Sequence, residues 1–333
     1  MSEAEQKFFW VPEAENWQGF QACDTKTGAN DLFYGLMYGY GCYTSFRYPL
    51  SRTLWQAHWR RLQADANILG LSLDGSFREA TAFDALKEAL EIFLKTSVAR
   101  VRISIVPRIS SLLDVTGSTS LSSAIIMTVS PLAKFNMQAP EIVKPGILKP
   151  AILKVVDTTR PMASVKHAQI AQTLYERRLA KSLDADEICF SQTVADKVYL
   201  SEAGFANIIA VNRPQKKLLS PDPKCWPCLL GTTVSALFSF LESSEARELG
   251  WQGAWGDLSL DSLNAYDAIL LSNAVTGLRP VAKIMNSAGQ LLWQEKAYVA
   301  EDRQIHNRDF SESDLSELLE SFWRMLAFDG DCA

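Results

Sequence analysis

Strands in this chain come in close pairs as well as between helices, and that mixture restricts the fold more than any other feature. Glu187–Ser191 and Val198–Ser201 flank the polar turn Ala195-Asp-Lys, and strands at 206–211 and 217–219 flank Arg213-Pro-Gln-Lys-Lys. Two apolar runs joined by a few polar residues read as antiparallel hairpins. A helix over about 166–183 precedes them, and a second opens at Gly231-Thr-Thr with Val234, Leu237, Phe238 and Leu241 on one face. Further strands are expected at 151–156, 268–272 and 280–285, with a last helix at 313–327. A doubly wound parallel sheet needs strict strand–helix alternation, so the pattern selects a mixed α/β chain of the α+β kind instead.

The first part of the chain reads similarly. Short strands at 7–11 and 20–23 lead to a glycine-punctuated aromatic stretch, Tyr34–Arg47. Trp55, Trp59, Leu62, Ala66 and Leu69 then recur at three- and four-residue spacing, an amphipathic helix that stops at Gly70. Together with Trp10 and Trp17, these tryptophans are candidates for core and for a dimer interface. A helix at 79–95, alternating Val101, Ile103 and Ile105, and a strand at 123–130 follow. Pro131, Pro140, Pro145 and Pro150 then mark the best linker. At roughly 150 residues per domain, 333 residues make about two. We expect an N-terminal domain over 1–130, a linker over 131–148 and a larger C-terminal domain over 149–333.

Composition excludes several classes. Lys and Arg total 33 against 38 Asp and Glu, a net charge of −5, so no basic surplus suggests nucleic acid. No apolar run approaches the ~18–20 residues that cross a bilayer. The start, Met-Ser-Glu-Ala-Glu-Gln-Lys, lacks a signal pattern, so a cytoplasmic protein is expected. Six cysteines are too sparse for a disulfide scaffold, and three scattered histidines, His58, His167 and His306, make no metal cluster. His58 and His167 read as structural and His306 as a surface residue. Cys225-Trp-Pro-Cys228 looks like a redox motif but lies just before Leu229-Leu-Gly-Thr-Thr233 rather than in a thioredoxin-like βαβ unit, so two unpaired thiols, a loop disulfide and a redox sensor all stay open.

Four segments carry candidate chemistry. His58-Trp-Arg-Arg-Leu62 offers Arg61 as a forked phosphate ligand. In Ser164-Val-Lys-His167, Lys166 stands between a strand and a helix start, where the macrodipole opposes a cation, so a role beyond local stability is indicated. A lysine of depressed pKa forms Schiff bases with aldehyde cofactors. Glu202, in Tyr199-Leu-Ser-Glu-Ala-Gly-Phe-Ala-Asn207, is an acid among small and apolar residues that calls for a facing cation. Leu229-Leu-Gly-Thr-Thr233 runs into a helix and offers glycine, amides and hydroxyls to a phosphate. Taken singly these are a solvated arginine, a surface lysine, a turn-exposed acid and a helix cap. Their order along the chain carries the weight.

In that order they resemble the class IV aminotransferase family, the fold type IV enzymes of pyridoxal 5'-phosphate (PLP). Gly39-Tyr-Gly-Cys-Tyr-Thr-Ser-Phe-Arg47 is similar to the family's G-D-G-V-F-E-T-x-R, His58–Leu62 to H-x-x-R-L, and Val165-Lys-His167 to I-K-x. Ala185-Asp-Glu187 with Leu200-Ser-Glu202 and Asn207 resembles A-D-E and V-T-E-x-x-x-x-N, and Leu229–Thr233 resembles L-P-G-I-T. The resemblance spans about 8–285 and implies a two-domain, D-amino acid aminotransferase-like fold and a homodimer. It implies Lys166 as Schiff-base lysine and proton carrier, and Glu202 at the pyridine nitrogen. Arg61, Thr232 and Thr233 would hold the phosphate, and Asn207, Gly231, Ser272 and Asn273 would complete the cofactor set. The sequence departs from the pattern at Tyr40, where the family has Asp, and at Val234, where Arg is common. The 36 residues from Lys166 to Glu202 exceed the usual spacing, and the turn at 192–197 takes up the excess.

Two stretches bear on the subfamily. Cys42-Tyr-Thr-Ser45 resembles the G-C-F-T-T form of 4-amino-4-deoxychorismate lyases, and Ser272-Asn-Ala-Val-Thr-Gly-Leu-Arg-Pro-Val281 resembles their N-[SA]-L-x-G-x-x-P-V. The implied reaction releases pyruvate and p-aminobenzoate, with Lys166, or Thr44 through a hydrogen bond, protonating the departing group. A dicarboxylate needs cationic anchors. Arg102 and Arg108, six apart on one strand, are candidates, with Asn273, Arg279 and a lining Tyr43. The alternatives are an aminotransferase for branched-chain or D-amino acids and a PLP-binding homologue without turnover.

Overall fold

The computed structural model describes residues 6–10, 21–22, 35–72, 79–93, 98–109, 112–117, 120–131, 149–295 and 314–327. They divide into two compact units. The first holds the described residues up to Pro131 together with Val165–Gln169, and the second holds 149–164 and 170–327. Of the expected linker only Pro131 is described, as the end of a strand; 132–148 lie outside the described residues, as does Trp17.

The first unit contains β1 (Gln6–Trp10), β2 (Gln21–Ala22), β3 (Cys42–Tyr48), α1 (Arg52–Ile68), β4 (Leu71–Ser72), α2 (Glu79–Phe93), β5 (Ala99–Pro107), α3 (Leu112–Gly117) and β6 (Leu121–Pro131). Its strands run antiparallel in the order β2-β1-β6-β5-β3, with β4 added to β6 in parallel. The glycine-punctuated stretch thus yields a full strand. β3 pairs with β5 from Cys42↔Ile105 to Tyr48↔Ala99 and buries Cys42, Thr44 and Phe46 on one face. Gly41 admits this pairing, because a Cβ there would stand 2.6 Å from the Ile105 carbonyl oxygen. Helix α1 starts at Ser51, whose side chain accepts from Leu54 N–H, and ends before Gly70, which has the left-handed φ of +67°. Trp55 and Trp59 stack at 5.7 Å between ring centroids, and Trp55 meets Phe46 edge-on at 5.9 Å, so the tryptophan stripe is core of this unit.

The second unit contains β7 (Ala151–Val156), α4 (Ala171–Ala180), β8 (Glu187–Val194), β9 (Lys197–Ala203), β10 (Asn207–Asn212), β11 (Lys217–Pro221), α5 (Thr232–Leu241), α6 (Ser244–Glu248), β12 (Gln252–Gly256), β13 (Ala268–Asn273), β14 (Gly277–Met285), β15 (Leu291–Gln294) and α7 (Asp314–Ala327). Nine strands form one sheet, β12-β11-β10-β13-β14-β7-β8-β9, with β15 on β14. Pairs β7–β8, β7–β14 and β11–β12 are parallel and the rest antiparallel, so the mixed α/β architecture expected from the hairpins is present. Leu153, Leu200, Ile208, Ile269 and Ile284 centre its core. The apolar stripe of α5, Val234, Leu237, Phe238 and Leu241, is buried and contributes about 1.5–3 kcal/mol per side chain. No helix among the described residues is long and apolar enough to cross a membrane.

Two expectations are corrected. The helix after Lys166 begins at Ala171 rather than 166, because residues 166–168 are held as an extended segment beside β3. The macrodipole argument therefore does not apply to Lys166. Arg108 lies one residue beyond β5, its N–H donating to the Ser122 carbonyl, so it does not share a strand face with Arg102.

Candidate active site

In the first unit the chemistry gathers around Lys166. Its carbonyl accepts from Tyr43 N–H at 2.9 Å, and Ala168 N–H donates to the Gly41 carbonyl at 2.8 Å, so β3 fixes the lysine backbone like a short extra strand. On the other side the Lys166 N–H donates to Asp65 Oδ2 of α1 at 3.2 Å. Lys166 Nζ lies 4.9 Å from the centroid of the Tyr43 ring, and the Arg102 guanidinium stands 3.8 Å from the same centroid. Arg102 Nε also donates to Ser104 Oγ.

Next to this ring is a buried polar chain. Thr44, 1% exposed, accepts from Arg61 Nη2 at 3.0 Å and sits 2.7 Å from His58 Nδ1. Arginine only donates, so the Thr44 oxygen accepts from Arg61, while the direction of the Thr44–His58 bond follows the imidazole tautomer. Burial, and then the cations Arg61 and Lys166, hold the His58 imidazole well below its ordinary value of 6.5. The unfolded chain binds this proton near 6.5, whereas the folded chain resists it. Stability is therefore full above that pH and falls as pH drops below it. His58→Gln is expected to flatten this acid-side loss in melting curves, and a slope equal to wild type would refute the assignment. Tyr40, the departure from the family pattern, donates to the Leu69 carbonyl at 2.8 Å and secures the end of α1.

In the second unit the centre is Glu202, near the end of β9. Its Oε1 pairs with Arg160 Nε at 2.8 Å, the two side chains being 6% and 10% exposed, and Arg160 also donates to the Ala163 carbonyl. Its Oε2 accepts from Leu229 N–H at 3.0 Å, while Asn207 Nδ2 donates to the Leu229 carbonyl at 2.7 Å. The Leu229 residue is thus gripped at both backbone groups, and this places Gly231 at the start of α5. Gly231 has no side-chain cap bond, and a Cβ there would fall 1.8 Å from Asn207 Oδ1. Thr232 and Thr233 are buried in the first turn. Ser272 faces Asn207 across β10 and β13, and its buried hydroxyl has no hydrogen-bond partner among the described residues.

The remaining candidates have structural work. Asn273 Oδ1 accepts from Val275 N–H and Thr276 N–H, closing the β13–β14 turn. Arg279 pairs with Asp186 at 2.8 Å and donates to the Lys149 carbonyl. Val234 is packed in the core of α5. Cys225 and Cys228 are both free thiols. Cys228 is buried, and burial followed by the charges of Glu202 and Asp222 pushes it up to about 12, which makes it a poor nucleophile. Trp226 between them stacks on Tyr199 at 4.5 Å and donates to Asp257.

Sequence reasoning missed Arg160 and Asp65. The signal for Asp65 was a carboxylate seven residues after His58 on the buried side of α1; Arg160 was visible only as the cation that Glu202 required.

These residues fit PLP. An uncapped helix start with two buried hydroxyls, a glycine with no room for a side chain and an orphaned serine hydroxyl make an anion cradle. Each Glu202 oxygen accepts one bond here and keeps a further lone pair for a protonated ring nitrogen. Among the described residues no three His, Cys, Asp or Glu side chains converge as metal ligands would.

No protein of curated function matches the chain. Its fold is similar to that of the branched-chain aminotransferase of Thermoproteus uzoniensis, at a TM-score of 0.69 and 16% identity over 97% of this chain and 95% of the other. It is similar to a PLP-bound hypothetical aminotransferase of Mycobacterium tuberculosis, at 0.62 and 18% over 88% and 94%. A Legionella pneumophila protein with a provisional 4-amino-4-deoxychorismate lyase name aligns at 0.59 and 17% over 79% and 90%. The family model for class IV amino-transferases matches residues 41–284. With most of its length so matched, the chain belongs to the class IV aminotransferase family of PLP-dependent enzymes.

Proposed function

We propose that this chain is a lyase that converts 4-amino-4-deoxychorismate to p-aminobenzoate and pyruvate. The observation that carries the reading is the Arg102 guanidinium stacked on Tyr43, the ring that also neighbours Lys166 Nζ. A cation beside the reactive amine suits a substrate with two carboxylates. Position 44, where many family aminotransferases have Glu, carries a hydroxyl already engaged by Arg61 and His58, so no added anion repels such a substrate.

Bound PLP supplies an electron sink for the carbon that bears the substrate's amine. Glu202, oriented by the Arg160 guanidinium and Leu229 N–H, would hold the ring nitrogen. Gly231, Thr232, Thr233 and Ser272 would hold the phosphate, and Asn207 keeps that loop in place. Lys166 Nζ takes the proton from the amine-bearing carbon and returns one to the departing enolpyruvyl group. Thr44 is buried and hydrogen-bonded on both sides, so we assign it to steadying Arg61 and leave the proton transfers to Lys166. The reading includes a cytoplasmic homodimer; Leu174, Tyr175 and Leu179 expose apolar surface on α4 that a second copy would cover.

PLP-reconstituted protein supplied with 4-amino-4-deoxychorismate and no keto acid is expected to release pyruvate and p-aminobenzoate over many turnovers. Turnover only of branched-chain or D-amino acids, and only with 2-oxoglutarate present, would make it an aminotransferase instead. Turnover with neither would leave a binding protein.

A further inference from the structure

Asp65 is a buried carboxylate that none of the steps above uses. It lies on α1 one turn beyond Arg61 and is 2% exposed. A carboxylate is rarely taken so far out of water without a partner to repay it. Here one partner is the backbone N–H of Lys166, 3.2 Å from Oδ2 and 101 residues away in sequence. An ordinary β-bridge would satisfy this N–H with a backbone carbonyl. Instead β3 takes the lysine carbonyl through Tyr43 N–H, and helix α1 takes the lysine N–H through a side chain.

The surroundings give that side chain a second effect. Facing the Lys166 segment are His58 and Arg61 from α1, Cys42, Tyr43 and Thr44 from β3, and, across the Tyr43 ring, Arg102 from β5. The two arginines repel a protonated lysine amine, and a neutral His58 does not offset them. Asp65 is the carboxylate bonded to this segment. Its field reaches the neighbouring side chains: after burial itself, it is the cause that raises the Cys42 thiol.

We propose that Asp65 is the positioning residue for Lys166, fixing the peptide that carries the amine and offsetting the charges of Arg61 and Arg102 near it. The inference rests on Lys166 as the reactive amine, but its test does not require PLP. In the full cofactor-free chain, competitive amine labelling by acetic anhydride, followed by peptide mapping, gives the titration midpoint of Lys166 against exposed Lys217 as internal reference. Asp65→Asn keeps a carbonyl oxygen for the N–H and removes only the charge. It is expected to shift the Lys166 midpoint down by about one pH unit, about tenfold faster labelling at a fixed pH below the midpoint, with Lys217 unmoved. In the wild type, hydrogen exchange should show the Lys166 amide protected. An unchanged midpoint in Asp65→Asn, or an unprotected Lys166 amide in the wild type, would overturn the proposal. The wild-type measurement decides even if the variant fails to fold. Should PLP later prove not to bond Lys166, the functional reading fails while these two measurements stand.

Discussion

Glu202→Gln should destabilise the protein by about 3–5 kcal/mol, a loss set by Arg160 rather than by the missing carboxylate itself. Both partners are nearly out of solvent and meet at 2.8 Å. Gln preserves shape and one acceptor oxygen, so Leu229 N–H keeps its bond, but the buried guanidinium loses the carboxylate that faces it at 2.8 Å. Removing both charges, in Arg160→Met with Glu202→Gln, should recover most of the loss, because the cost lies in a buried cation that has lost its carboxylate. Denaturant midpoints of the two singles and the double provide the check. A Glu202→Gln loss below about 0.5 kcal/mol would show that the pair is solvated. In the PLP-loaded enzyme the same variant should lower kcat about a hundredfold or more, as the charge that steadies the ring nitrogen is gone.

Gly231→Ala is the second large effect, and its cause is space rather than backbone conformation. Gly231 has φ −71° and ψ 135°, angles open to any residue, so alanine meets no torsional penalty. Its Cβ would instead lie 1.8 Å from Asn207 Oδ1, 2.8 Å from Asn207 Cγ and 3.2 Å from Val234. Asn207 cannot turn aside freely, since it is buried and its Nδ2 holds the Leu229 carbonyl. Overpacking of this kind costs about 1–3 kcal/mol. The displaced loop also carries the start of α5, so PLP affinity should weaken by at least about tenfold. Fluorescence titration with PLP checks this. Unchanged affinity would place the phosphate elsewhere.

Much of this site could be read from the chain because short motifs name local geometry. Leu229-Leu-Gly-Thr-Thr233 announces a helix start with amides and hydroxyls, and α5 begins at Thr232 as that pattern requires. The hairpins about 195–197 and 213–217 follow from polar turns between apolar runs, and β8–β9 and β10–β11 pair there. What escaped depends on tertiary partners. Strand β3 was hidden by the glycines that precede it and by its own hydroxyls, and it forms because β5 supplies a full-length neighbour. The helix after Lys166 starts five residues late because β3 and Asp65 claim the backbone groups that a first turn would need free. Arg279 illustrates the converse: a cation picked out by a motif turns out to be paired with Asp186, far along the chain.

The central assignment is Lys166 as the amine that bonds PLP. Borohydride reduction of the PLP-loaded wild-type chain, followed by digestion and mass spectrometry, reads it directly. The account predicts a single phosphopyridoxyl mark on the peptide that contains Lys166, absent in Lys166→Ala. A mark on another lysine, or none on the loaded protein, would contradict it.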